Sequence, residues 1–169
     1  KMKIGILGGS FDPAHKGHLA ISKEARKRFK LEKIIWAITK KNPLKAESKT
    51  PISKKIKDCK KIIGLNSFIK VKFYENIIKS NKTIDLINYL KKNKNIEIFF
   101  LMGADNLISF HKWHKSKLIS QKCNIIVFDR HGYKKNSLKS KTFKRLNNKT
   151  LTFVEFKKVN ISSSQLRKI

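Results

Sequence analysis

The chain has 169 residues, of which 40% are hydrophobic and 31% charged, and a formal net charge of +30 at pH 7. That length makes one domain spanning residues 1–169 the default, able to bury roughly 70% of its unfolded surface, and the hydrophobic share excludes wholesale disorder. Two widely spaced cysteines, Cys59 and Cys123, exclude a disulfide framework, support no zinc site and fit a reducing cytoplasm, while the longest apolar run, Ile98 to Ala104, is about a third of a membrane span.

Taken in chain order, Met2 to Gly8 reads as a buried strand. Its apolar run meets glycines at once and is too short for the apolar region of a signal peptide, so no export is expected. A helix from about Gly17 follows, with Ile21, Ala25 and Phe29 recurring on one face. Lys33 to Thr39 is a second strand, and a polar loop around Asn42 and Pro43 leads to a helix opened by Pro51 that turns Ile52, Ile56, Cys59 and Ile63 to one side. Phe68 to Phe73 alternates as a strand does. Thr83 is placed to cap a helix carrying Ile84, Ile87 and Leu90, and Ile96 to Met102 is the most strongly apolar strand, hence a central one. One or two short helices fit between Asp105 and Ser120, then a strand Asn124 to Phe128, a basic loop through Gly132 and Asn136, a brief helix near Phe143, a strand Leu151 to Phe156 and a helix beginning at Ser162. Strands alternating with helices predict an α/β, Rossmann-like doubly wound parallel sheet covered by helices on both faces. Ligands of such sheets bind beyond the carboxyl ends of the strands.

The positive charge comes from 36 Lys and only 5 Arg spread along the whole chain. Nucleic-acid readers concentrate Arg and aromatic residues in one patch, so a solvated lysine surface is the preferred reading and a functional polyanion site the alternative. In either case a positive field draws in anionic nucleotides without specifying which ones.

The segment Gly8-Gly9-Ser10-Phe11-Asp12-Pro13-Ala14-His15-Lys16-Gly17-His18 joins the first strand to the first helix. It is neither the GxGxxG dinucleotide fingerprint nor a P-loop. A helix amino terminus offers unpaired N–H groups and a partial positive charge that suit phosphate oxygens. His15 lies just before that terminus and His18 in its first turn. Gly17 between them leaves both imidazoles room to act as donors to one phosphoryl group, and Gly8, Gly9 and Ser10 add backbone and hydroxyl donors from the strand side.

The HxGH pattern of His15 to His18, together with Ile161-Ser162-Ser163-Ser164-Gln165-Leu166-Arg167 near the end, resembles the paired signatures of the HxGH nucleotidyltransferase superfamily, and within it the bacterial nicotinate-nucleotide adenylyltransferases. The resemblance extends over essentially the whole chain. It implies ATP and nicotinate mononucleotide as substrates, Mg²⁺ accompanying ATP, direct attack on the α-phosphorus and release of pyrophosphate. It further implies that His15, His18 and Arg167 are the catalytic residues, with the two histidines on the transferring α-phosphate. Gly8, Gly9, Ser10, Phe11, Gly17, Arg130, Ile161, Ser162 and Ser163 would bind ATP and its phosphates, Arg130 from an Arg-x-Gly-Tyr-like loop near the adenine. No residue is assigned to hold a metal by itself.

On the acceptor side the resemblance implies Lys45, Thr83, Gly103, Asp105, Trp113 and His114 around nicotinate mononucleotide. Met102-Gly103-Ala104-Asp105-Asn106-Leu107 is similar to a ribose-holding Gly-x-Asp, and Trp113 would stack on the pyridine ring. Helix packing is the alternative for Trp113, and a plain surface lysine the alternative for Lys45. Tyr is frequent in the family where this chain has His114, which leaves the backbone of His114 as the contact. Phosphopantetheine adenylyltransferases and cytidylyltransferases share both signatures and are the nearest rivals, but the Gly-Ala-Asp-Asn segment and Trp113 favour the nicotinate branch. A basic nucleic-acid-binding domain is the rival from another class, and no helix-turn-helix, RRM or zinc pattern supports it. Neither membrane nor nucleic acid is expected as a partner, and the oligomeric state is left open.

Overall fold

A computed structural model of the protein describes residues 1–40, 49–104, 106, 110, 112–129 and 151–155. Six strands, β1 (Met2–Gly9), β2 (Lys33–Ile38), β3 (Ile69–Lys72), β4 (Ile96–Gly103), β5 (Asn124–Asp129) and β6 (Leu151–Glu155), form one sheet in the order β3-β2-β1-β4-β5-β6. Every neighbouring pair is parallel. The described helices are α1 (Lys16–Phe29), α2 (Ile52–Ile63), α3 (Glu75–Ile78), α4 (Thr83–Leu90) and α5 (Ser116–Lys122).

The expected α/β doubly wound architecture is the observed one, and β4 is central beside β1. Its near-continuous apolar run, all but one residue buried, is what a strand covered on both faces requires. On one face, Ile21 and Ala25 of α1 and Cys59 and Ile63 of α2 pack with Leu7, Trp36, Ile38 and Leu101. On the other, Ile84 and Ile87 of α4 and Ile119 of α5 pack with Ile6, Ile98, Phe100 and Val127. The chain therefore leaves β1 by one face and reaches β4 by the other. The helices that follow β1 and β4 cover opposite faces, so the two connections part at the point where the strand order reverses, the place where a crevice opens and ligands bind in such sheets.

Two local expectations change. Thr83 does not cap α4 but is its first residue, and the N-cap Lys82 makes no side-chain cap bond. Ser80 takes over that work, since its hydroxyl accepts the Lys82 N–H at 3.0 Å and donates to Asp85 at 2.5 Å. The short α3 was not anticipated, because four residues carry too little periodicity to register as a helix. The basic loop through Gly132, the helix near Phe143 and the helix from Ser162 lie outside the described residues.

Candidate active site

The histidine pair builds the start of α1. His15 is its N-cap, with extended backbone, and its Nδ1 accepts the Gly17 N–H at 3.0 Å. His18 reaches back, and its Nδ1 accepts the His15 N–H at 3.1 Å. This is a reciprocal capping box in which two imidazoles do the work usually done by Ser or Thr and Glu. A ring nitrogen that accepts a hydrogen bond carries no proton, so each neutral ring carries its proton on Nε2 and presents that atom as a donor. With the ring centroids 4.0 Å apart, both donors can serve one phosphoryl group. No acidic residue stands in the first turn of α1 to compete with an anion for the helix terminus.

A layer beneath the pair holds it in place. The Phe11 ring lies 4.6 Å from His18 and stacks on Trp36 at 5.2 Å. Trp36 is fully buried in β2, and its indole N–H donates to Ser22 Oγ at 2.8 Å, which in turn donates to the His18 carbonyl at 2.8 Å. The sheet thus grips the first turn of α1 through one serine. Phe11 takes a left-handed φ of 49°, a conformation that is strained for a residue with a side chain and that turns its ring under the histidines. Any contact of Phe11 with ATP therefore runs through its main chain.

Gly8 and Gly9 end β1 at the mouth of the crevice. Gly8 is exposed, and among the described residues a Cβ there would meet only the Phe100 ring at 3.8 Å. Packing against the described residues does not demand glycine at this position. What the missing side chain leaves open is the approach to the backbone from solvent, as a phosphate cradle needs. Ser10 is partly exposed beside it.

The acceptor-side residues that the structure describes share the same edge of the sheet. Gly103 is the last residue of β4, Thr83 opens α4 after β3, and Trp113 and His114 lie between β4 and α5. Trp113 is half-buried, edge-on to Phe110 at 5.0 Å and to Phe100 at 6.0 Å. It packs, as the plainer alternative held, and still keeps part of its surface accessible. His114 is exposed. Lys45, Asp105, Arg130, Ile161, Ser162, Ser163 and Arg167 lie outside the described residues.

Sequence reasoning missed Ser22, the layering role of Trp36, and Lys55. The last is 1% exposed on α2 and donates to the Thr39 carbonyl at 3.3 Å. The spacing of Lys55 with Cys59 and Ile63 was the available signal, hidden by the abundance of lysine. The two thiols are set aside, since burial pushes Cys59 and Cys123 up to about 12, and a protonated thiol is no nucleophile near neutral pH. Among the described residues no helix is long and apolar enough to cross a membrane.

With this geometry in hand, comparisons with known proteins agree. The model of the family described as cytidylyltransferase-like matches residues 6–169. The "Probable nicotinate-nucleotide adenylyltransferase" of Pelagibacter ubique (strain HTCC1062) is 68% identical over 169 residues, covering 100% of this chain and 94% of the relative. The protein of the same name from Rhizobium johnstonii is 33% identical over 142 residues, covering 83% of this chain and 71% of its own. In fold the chain is similar to Plasmodium falciparum nicotinic acid mononucleotide adenylyltransferase complexed with NaAD, with a TM-score of 0.79 and 22% identity over 99% of this chain and 83% of that one. The chain belongs to the cytidylyltransferase-like nucleotidyltransferases and, among them, to the nicotinate-nucleotide adenylyltransferases.

Proposed function

We propose that the site performs the reaction its family is named for, transferring the adenylyl group of ATP to nicotinate mononucleotide to give the dinucleotide precursor of NAD and pyrophosphate. The observation that carries this reading is the reciprocal His15–His18 cap beside the carboxyl end of β1, which sets two imidazoles protonated on Nε2 side by side at a helix terminus, and this supports a role for them as phosphate donors.

The acceptor's phosphate is already ionised at pH 7, so no side-chain nucleophile is required. One of its oxygens forms a bond to the α-phosphorus of ATP as the bond from that phosphorus to the bridging α,β-oxygen breaks, and pyrophosphate departs with that electron pair. Catalysis is then alignment, worth roughly 7 to 11 kcal/mol, together with stabilisation of charge on the equatorial oxygens. In this reading the Nε2–H groups of His15 and His18 hold the α-phosphate. Gly8, Gly9, Ser10, Phe11 and Gly17 line its approach through the main chain and the serine hydroxyl. Ile161, Ser162, Ser163 and Arg167 hold the departing phosphates, and Arg130 lies near the adenine. Lys45, Thr83, Gly103, Asp105, Trp113 and His114 hold the nicotinate nucleotide, with the accessible part of Trp113 as the platform for its ring.

Magnesium belongs to the ATP substrate. The cradle presents N–H and hydroxyl donors, and the single carboxylate of its loop, Asp12, accepts the Thr50 hydroxyl at 2.8 Å. Among the described residues no three of His, Cys, Asp and Glu converge. Such a donor set suits phosphate oxygens, with the ion carried by those phosphates and water. The field of the lysine-rich surface steers both anionic substrates, and the cytoplasm is where this reading places the reaction.

The test is pyrophosphate release from purified protein with ATP, Mg²⁺ and one of nicotinate mononucleotide, nicotinamide mononucleotide or phosphopantetheine. Release with nicotinate mononucleotide is expected. Release with phosphopantetheine alone would keep the phosphate cradle and overturn the roles of Trp113 and Asp105, and silence with all three would overturn the reading.

A further inference from the structure

The inward face of α2 presents Lys55, Cys59 and Ile63, one turn apart each. Apolar residues belong at all three positions, yet the first is a lysine that is 1% exposed. Removing an ammonium from water costs several kcal/mol unless its surroundings compensate, so a lysine kept here has to be held to a purpose. Its Nζ donates to the carbonyl of Thr39, the residue that follows β2. The N–H of Thr39 donates to the Gly9 carbonyl at 2.9 Å. One residue, Thr39, therefore links the buried ammonium to the glycine cradle.

The same turn of α2 makes a second tie to that cradle. Thr50, just ahead of the N-cap Pro51, donates its hydroxyl to Asp12 at 2.8 Å. The start of α2 thus braces both ends of the Gly9 to Asp12 stretch, through Lys55 on the strand side and Thr50 on the loop side. Beside the first tie, Thr39 Oγ1 is buried and makes no hydrogen bond, so the amide and carbonyl of Thr39 alone fix it between Gly9 and Lys55.

We infer that Lys55 is a positioning residue for adenylyl transfer, its buried ammonium holding Thr39, and through it the Gly9 end of the phosphate cradle, in register with the histidine pair. The inference rests on the proposed reaction. A positive charge one residue removed from the cradle also favours the phosphate's negative charge, and the low polarity around a buried group strengthens that effect.

The experiment compares wild type, Lys55→Met and Lys55→Arg for kcat, for KM of ATP and of nicotinate mononucleotide, and for Tm. Methionine matches the shape and removes the charge, and because it leaves the Thr39 carbonyl without this donor it lowers Tm by several degrees. We expect Lys55→Met to lower kcat about 10- to 100-fold, the cost of a misplaced cradle, with both KM values changed less than about threefold, in a chain that stays folded at the assay temperature. Lys55→Arg should recover most of the lost kcat. Lys55→Met turning over within about twofold of wild type overturns the proposal. So does a Lys55→Met chain that is unfolded at the assay temperature, or one whose defect Arg does not repair, because each assigns Lys55 to stability or shape alone. A wild-type protein silent with nicotinate mononucleotide would instead sink the reaction itself, a result read before either variant is made.

Discussion

The two strand exits that flank the crevice are built on different principles. At the end of β1, eleven consecutive residues make the turn and cap the helix, and in the proposed reaction they also supply the donors, so that His15 and His18 serve both structure and chemistry. At the end of β4, Gly103, Trp113 and His114 are spread over a longer connection, and Trp113 is positioned by edge contacts with Phe100 and Phe110 rather than by hydrogen bonds from its ring. Handling a phosphate needs several donors within a few ångströms of one another, which a contiguous loop at a helix terminus provides. Recognising one acceptor among several needs shape and an aromatic face, which packing from separate segments provides. In the proposed reaction the part that transfers the group is local, and the part that chooses its recipient is assembled.

The largest effect expected from breaking the β1 side is catalytic. His18→Ala should lower kcat by 10² to 10³, the usual cost of one preorganised donor. His15→Asn sharpens the point, because asparagine retains an N-cap acceptor and has no Nε2–H. Its Tm should stay near that of wild type while its kcat falls as far. A parallel fall in both quantities would reduce His15 to a helix cap.

On the β4 side the effect is smaller and lies in binding. Trp113→Phe keeps an aromatic edge toward Phe100 and Phe110 while shrinking the platform, and should raise KM for nicotinate mononucleotide about 2- to 10-fold, the range of one stacking contact. KM for ATP should not move. Equal changes in both constants would return Trp113 to packing alone.

The smallest catalytic effect belongs to the layer beneath. Ser22→Ala leaves the Trp36 indole N–H without the partner it has at 2.8 Å, which costs about 1 to 3 kcal/mol and lowers Tm by several degrees. Because the His15–His18 cap survives this change, kcat/KM should fall less than about tenfold. A loss as large as that of His18→Ala would make the serine part of the transfer machinery rather than its support.

Periodicity sufficed for every strand named above, since the central strands are short apolar runs bounded by turns and the edge strand β3 alternates polar with apolar residues. It failed at α3, where four residues are too few for a period, and at Thr83, whose residue type suits a cap although Ser80, three residues earlier, makes the bonds. On α2 the apolar spacing singled out Ile52 and Ile56 and passed over Lys55, which is the residue more deeply buried. Lysine is too common in this chain for one of its 36 to draw notice.

What the sequence determined by itself was the local build of the β1 exit, because two histidines around a glycine at a strand-to-helix junction act on one another within a single turn, with no distant residue needed. The tertiary structure alone decided which side chains stand behind that junction. Trp36 meets Ser22 and Phe11, and Lys55 meets Thr39, only because β2 lies beside β1 and α2 folds back over both. Such contacts depend on strand order and crossover hand, properties of the folded sheet that no local spacing encodes.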